Sequence, residues 1–283
     1  MTADTDDLDT LRQWIGRSEE SVETISTDWC RKMADTLDLE TTLVDGDTLP
    51  PLWHFITHLT SAPLSGLGRD GHSSRGGFLP PVALPRRMWA GGRFTFHGDV
   101  HLGEEVTKQS TIHDVVMKEG RSGRLCFVTV THRLLVEGSV RIEEEQDLVF
   151  REGPTPEAAK PEPKAAPDDA DFGQTITPSE VMLFRYSALT FNGHRIHYDR
   201  EYARDVEGYE GLVFHGPLTA TLLADLAVRE KGQPLATFSF RGLAPLFGGS
   251  PFTISGVNDA DGHSLWATTP SGGLAMQASA TFR

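Results

Sequence analysis

The spacing of apolar and polar residues divides the chain into two stretches that run through the same order of periods. In the first, DDLDTLRQWIG opens with acids and then sets Leu11, Trp14 and Ile15 on one helical face, and STDWCRKMADTLD begins with Ser26 and Thr27 as caps for a second helix. A third helical run is expected after Pro50 and Pro51, where Trp53, Phe55, Ile56 and Leu59 share a core-facing side. Next comes a Gly-, Ser- and Pro-rich span, Ala62 to Pro85, too irregular for regular structure and long enough to be a ligand-facing loop. The period then falls to two. Runs over 88–98, 104–118, 124–138 and 140–150 are rich in β-branched and aromatic residues, which predicts four strands in one antiparallel meander.

Near the C-terminus the same order returns. An apolar segment from Val181 to Leu189 precedes a helix opening at His215-Gly216-Pro217, and strand-like runs follow over 235–243, 252–259, 264–269 and 274–282. Between the stretches, Arg151 to Asp171 has no bulky apolar residue with which to build a core, and its prolines favour an extended, semi-rigid chain. We therefore expect one unit over 1–150 with extra N-terminal helices, a linker over 151–171 and a second unit over 172–283. The repetition is one of element order and not of sequence. A long helix followed by four strands in each unit is an α+β arrangement in which an antiparallel sheet wraps a central helix, and pairing two such sheets covers edges that one alone leaves open.

Composition narrows the partners. At 283 residues the chain can bury a core without disulfides or metals, and no run approaches the roughly 20 apolar residues of a membrane helix. Forty acidic against 26 basic residues give a net charge of -14, a mean field that repels phosphate backbones and anionic bilayers. Neither nucleic acid nor membrane is an expected partner. Cys30 and Cys126 lack companions at ligand spacing and read as buried small hydrophobes. The acidic, polar N-terminus has neither a secretory nor an organellar presequence pattern, so a cytoplasmic location is expected.

Candidate chemistry concentrates in two places. The run from Phe184 to Asp199 interleaves bulky apolar residues with Asn192, His194 and His197, and either a proton-transfer role or bonding to nearby backbone accounts for its imidazoles; the backbone role suits His194 better than His197. Downstream, Gly211-Leu212-Val213-Phe214-His215-Gly216-Pro217 leads straight into an amphipathic helix. Its useful amide is the Gly216 N–H, because Pro217 has none, and a helix N-terminus attracts negative charge. Taken together they offer a base and an electrophile stabiliser, the minimum for proton chemistry beside a carbonyl. His215 either touches substrate or fixes the shape of the turn, and Tyr186 and Tyr198 are candidates for a polar tip on an apolar wall. The 11 histidines are scattered without an HExxH spacing, and the glycine clusters lack a GxGxxG turn, so no metal, nicotinamide or flavin is expected.

TFNGHRIHYD followed by GLVFHGP and a helix resembles the active-site signature of the MaoC-like hot-dog hydratases and dehydratases. In that signature a short turn carries an acid and, five positions later, a histidine; here the histidine falls on His197 and the acid position on Asn192, with His194 and Arg195 on the intervening Asn-Pro pair. An amide cannot take the proton that a carboxylate would. FNGHRIHYD itself is similar to the variant in mitochondrial-type 3-hydroxyacyl-thioester dehydratases and mesaconyl-/itaconyl-CoA hydratases, and the first half looks like their noncatalytic hot dog. The resemblance implies a double hot-dog fold and reversible hydration of an enoyl-CoA thioester with no cofactor, coenzyme A being part of the substrate. His197 would act on water, Asn192 would hold it and Gly216 would stabilise the thioester oxygen. Arg185, Arg195 or the pair Arg86 and Arg87 would meet a distal carboxylate of a short branched dicarboxylyl group, and Arg86, Arg87 and Arg93 would equally suit coenzyme A phosphates or plain solvent. A fatty-acid-type 3-hydroxyacyl-thioester dehydratase, a hot-dog thioesterase and a noncatalytic acyl-thioester-binding protein are the alternatives, and a homodimer of double hot dogs is a possible assembly.

Overall fold

Backbone pairing merges the strand-forming runs of both stretches into a single antiparallel sheet of ten strands. The computed structural model describes residues 7–120, 123–153 and 163–283, so the middle of the proline-rich linker, 154–162, lies outside the described residues. The first stretch supplies β1 (Ser18–Thr24), β2 (Arg86–Phe96), β3 (Glu105–Gly120), β4 (Gly123–Val136) and β5 (Ser139–Arg151). The second supplies β6 (Phe172–Ile176), β7 (Leu235–Gly242), β8 (Phe252–Asp259), β9 (Gly262–Thr268) and β10 (Leu274–Phe282). Their spatial order, β1-β3-β4-β5-β2-β7-β10-β9-β8-β6, reads the same outward in both directions from the β2–β7 seam. This is the expected double hot-dog arrangement, two similar units fused through a shared sheet.

Two details differ from the periodicity. Only β3, β4 and β5 form a meander, because β2 lies beyond β5 and leaves its own edge free for β7. The outermost strands β1 and β6 were not expected from pattern at all. SEESVET is almost wholly exposed, and such an edge strand is held by backbone hydrogen bonds that leave no alternation to read.

Four helices accompany the sheet: α1 (Leu8–Arg12), α2 (Thr27–Thr36), α3 (Glu180–Leu189) and α4 (Gly216–Lys231). Ser26 and Ser179 cap α2 and α3 by accepting the N–H groups of Trp29 and Met182. With eight buried residues in its 16, α4 is the central helix of the second unit, and Gly232 in the left-handed region ends it. Its counterpart in the first unit is missing. The third helical run expected there is a four-residue 3-10 turn, Trp53–Ile56, bracketed by left-handed Leu52 (φ 65°) and His58 (φ 51°). Aromatic, β-branched and imidazole side chains have low helix propensity, and nothing in WHFITH offsets the two interruptions. Trp53 and Ile56 instead join Phe94, Leu218, Leu223 and Phe238 in one core that runs through both units. Cys30 and Cys126 are both buried, as expected.

The irregular span 62–85 reaches across to the second unit. Gly71, at φ +90°, lies so close to Gly193 that a Cβ on it would collide with the Gly193 carbonyl oxygen, and the Arg195 N–H donates to the Asp70 carbonyl at 2.9 Å. After the undescribed segment the chain runs along the second unit, where Leu274 N–H donates to Lys164 and Ala166 N–H to Gly272. Among the described residues no helix is long and apolar enough to cross a membrane.

The seam tolerates no side chain at Gly91, whose Cβ would lie 2.6 Å from the Phe240 carbonyl oxygen. Gly91→Ala must therefore push two backbones apart and is expected to cost about 1–3 kcal/mol, read as a lower thermal midpoint. Gly211→Ala, where nothing lies within 4 Å, should leave the midpoint in place.

Candidate active site

A cavity of about 710 Å³ opens where the turn after α3, the N-terminus of α4, the loop 62–85 and strands β2, β5 and β7 meet. Asn192, His194, His197 and Gly216 all line it. Helix α3 ends at Leu189, Phe191 takes a left-handed conformation, and the Asn192 Oδ1 accepts the His194 N–H at 3.0 Å, which shapes the turn. So held, Asn192 offers the cavity its NH2 donors.

The turn then places His197 in a 3-10 segment, Arg195–His197, where its Nδ1–H donates to the Val213 carbonyl at 2.7 Å. That bond fixes the tautomer: Nε2 is left as the proton acceptor. Val213 in turn donates its N–H to Ile196, so the two segments hold each other. His197 is buried, and burial lowers its pKa to about 4, the Val213 bond only partly opposing this. The backbone-bonding role expected mainly for His194 thus belongs to the His197 ring.

At α4, His215 is the N-cap residue without a side-chain cap, and the Gly216 N–H has no partner among the described residues. This donor and the positive end of a 16-residue helix both face the cavity. His215 does not. It is 1% exposed, stacks on His197 with ring centroids 3.7 Å apart, and bonds Ser187 Oγ through Nε2 at 2.9 Å. Tyr186 lies behind it, buried, edge-on at 4.9 Å. His215 supports the His197 ring from the core side and Tyr186 packs on His215, neither lining the cavity, and the exposed Tyr198 bonds the Gly193 carbonyl.

The expected arginines separate into two groups. Arg86 and Arg87 line the cavity, together with Arg151 and Arg241, which the sequence did not single out. Arg86 and Arg151 are direct cross-strand partners, a like-charge juxtaposition that costs energy unless negative charge lies between or near them. Arg86 has one such partner, donating to the Glu207 carboxylate at 2.5 Å. Arg87 makes no hydrogen bond or ion pair among the described residues, and burial lowers its pKa to about 10. The other three lie elsewhere. Arg93 is held by Glu145 and Asp147 on the outer face of the sheet, Arg185 reaches the Asp35 carbonyl on α2, and Arg195 pairs with Asp199 while stacking over Tyr202 at 4.1 Å. A local positive patch therefore exists within the acidic mean field, built from residues of both units.

Folding also gathers groups that are scattered in sequence. Asp70 and His72, from the loop 62–85, line the same cavity, and the Asp70 Oδ2 accepts from His72 Nδ1 at 3.0 Å. The His72 and His194 rings lie 4.2 Å apart, and one donor atom from each of Asp70, His72 and His194 falls within 4.8 Å of the others. Three such donors are enough to start a metal site, so the sequence spacing by itself carries no case against one. Composition had marked this loop as ligand-facing, but nothing local distinguished RDGH from the rest of it.

Residues 52–248 match the family profile of hydroxyacyl-thioester dehydratase type 2. The chain belongs to this family. It is 44% identical over 266 residues, 94% of this chain and 95% of the relative, to mesaconyl-C(4)-CoA hydratase of Chloroflexus aurantiacus. To the mitochondrial hydroxyacyl-thioester dehydratase type 2 of Schizosaccharomyces pombe it is 28% identical over 233 residues, 73% of this chain and 77% of the relative. Among solved structures, a MaoC-like dehydratase from Phytophthora capsici superposes with a TM-score of 0.73 at 10% identity, covering 98% of each chain. A Mycobacterium tuberculosis protein described as having a double hot-dog fold does so at 0.56 and 12% identity, over 94% of this chain and 96% of its own. This member of the dehydratase family is a hydro-lyase of the hydratase and dehydratase type.

His197 gives a pH signature that needs no substrate. Its folded pKa, about 4, lies below the ordinary value near 6.5, so between those limits the unfolded chain binds a proton that the native state refuses. The group's contribution is complete above about pH 6.5 and is lost as pH falls toward 4. Denaturant midpoints should decline over that window, less steeply in His197→Gln, and nitrogen-15 spectra at pH 5.5 should show His197 neutral with its proton on Nδ1.

Proposed function

We propose that this hydro-lyase adds water reversibly across the C2–C3 double bond of a short, branched dicarboxylic enoyl-CoA thioester of the mesaconyl-C4 type. The observation that carries the substrate class is the 44% identity to mesaconyl-C(4)-CoA hydratase across nearly the whole of both chains. Arg87 beside the site supports it, since a half-buried guanidinium that makes no hydrogen bond or ion pair among the described residues, with Asp70 acting on it only through space, favours a carboxylate on the acyl group.

In this reading His197 Nε2 takes a proton from water as the oxygen attacks C3, an Asn192 NH2 donor orients that water, and the Gly216 N–H stabilises the enolate-like thioester oxygen. Arg86, Arg151 and Arg241 receive the coenzyme A phosphates or the acyl carboxylate. The second unit, 172–283, carries the reacting turn and Arg241, and the first, 1–150, contributes Arg86 and Arg87 to the arginine wall, with Arg151 beside them. A fatty-acid-type 3-hydroxyacyl thioester is the second reading, favoured by the family profile over 52–248.

Incubating the purified protein with mesaconyl-C4-, itaconyl- and crotonyl-CoA, and following loss of the enoyl-thioester absorbance, tests the proposal. The dicarboxylic thioesters should give the higher kcat/KM. His197→Ala should reduce turnover about 10²- to 10⁴-fold. Arg87→Ala should raise KM for the dicarboxylic substrates more than for crotonyl-CoA. Equal turnover of crotonyl-CoA and the dicarboxylic thioesters by both Arg87 forms would sink the substrate assignment, and release of free thiol without a hydroxyacyl product would make the protein a thioesterase.

A further inference from the structure

The family signature loses a carboxylate at Asn192, and the cavity contains another one from a different part of the chain. We propose that Asp70 and His72, on the loop 62–85 of the first unit, form the second proton-transfer group of the site, with His72 the catalytic residue and Asp70 its positioning residue. This rests on the hydratase reading above and deepens it.

Three observations support the assignment. First, an ionised carboxylate can only accept, so the 3.0 Å contact to Asp70 Oδ2 puts a proton on His72 Nδ1 and turns Nε2 toward the reactants. Nε2 has no partner among the described residues, the side chain is 22% exposed, and His72 lines the cavity. Second, the dyad is fixed relative to the reacting turn. The collision-tight approach of Gly71 to Gly193 and the Arg195 N–H bond to the Asp70 carbonyl bracket it, and a second bond, from the His72 N–H to Asp70 Oδ1 at 3.1 Å, closes the loop on itself. Third, the rings of His72, His194 and His197 follow one another at 4.2 and 5.4 Å, so a charge on His72 makes His197 harder to protonate. Such neighbours hold one proton far more readily than two.

The carboxylate decides where that proton resides. His197 is backed only by a backbone carbonyl, whereas an imidazolium at His72 is stabilised by Asp70. Burial by itself would raise the Asp70 carboxyl, but the hydrogen bond from His72 prevails and holds it below the usual carboxylate range. Burial lowers the His72 pKa and the Asp70 hydrogen bond opposes it, so the form that starts hydration, His72 protonated and His197 neutral, is the minor one at neutral pH. A water O–H proton passes to His197 Nε2, the oxygen forms the C3–O bond, and the π electrons move to C2 and the thioester oxygen. C2 takes its proton from His72 Nε2, which becomes neutral. One proton enters the imidazole row as another leaves, so the row's charge is unchanged in the step, and return of a proton from His197 to His72 through His194 or solvent resets the site. The charged and titratable groups facing His72 are Asp70 and Arg75 on its own loop, Arg87 on β2, and His194 and His197 on the turn.

Full-length protein and the thioester panel test this. His72→Gln should lower kcat by about 10²- to 10⁴-fold with KM changed far less, and should remove the fall of kcat with rising pH, set below the ordinary imidazole range, that loss of the His72 proton produces. Asp70→Asn should move both readouts in the same direction, and imidazole added to His72→Ala should restore turnover. Unchanged kcat in His72→Gln, or a rise in KM alone, would overturn the assignment. Activity lost to EDTA, restored by zinc and dependent on His72 and His194 together, would overturn it in favour of a metal site. Wild-type protein inert toward every thioester would overturn the parent reading and this one together, which separates that failure from the failure of His72 alone.

Discussion

The contact between Gly71 and Gly193 joins two loops that lie far apart along the chain. Neither residue carries a Cβ, the Gly71 backbone is left-handed, and the carbonyl of Asp70 takes the N–H of Arg195 beside them. From this closure follows the rest of the site. It sets the His72 ring against His194, keeps the turn at Asn192 in the fold that Oδ1 supports, and brings a loop of the first unit over the reacting end of the second. A side chain at either glycine would force apart backbone, which cannot rotate out of the way as a side-chain tip can.

Burial then fixes the protonation of what the closure assembles. His194 and His197 are pushed down to about 2 and about 4, and His215 well below its ordinary value, so these three rings are neutral over the ordinary working range. A neutral imidazole held by a backbone carbonyl is a ready acceptor whose tautomer does not fluctuate. The Gly216 N–H supplies the opposite polarity at the end of α4, and the Arg86, Arg87, Arg151 and Arg241 cluster extends it toward an anionic substrate. One cavity therefore contains an acceptor, a donor and a positive wall, each positioned by a different element.

The fusion of two units is asymmetric for a physical reason. The strand order is mirrored about the β2–β7 seam, yet only the second unit retains a long central helix. In the first, the 3-10 turn at Trp53 fills part of the equivalent volume and the long loop 62–85 is released to cover the partner unit. Loss of one helix thus coincides with gain of a cavity wall.

The chain's own residue pattern determined the fold class, the repeated element order, the core positions of α4 and β7 to β10, the turn that carries Asn192 and His197, and the helix start at Gly216. Those are local properties: a period of two or 3.6, a cap, a proline at a helix start. Tertiary structure alone decided the two edge strands, the collapse of the expected third helix, the exclusion of Arg93, Arg185 and Arg195 from the cavity, and the recruitment of Asp70, His72, Arg151 and Arg241 to it. Edge pairing depends on a partner strand remote in sequence, and the side-chain encounters span more than a hundred residues, so no window along the chain contains them. The backbone closure at Gly71 and Gly193, invisible as two unrelated glycines, is what turns separate loops into one site.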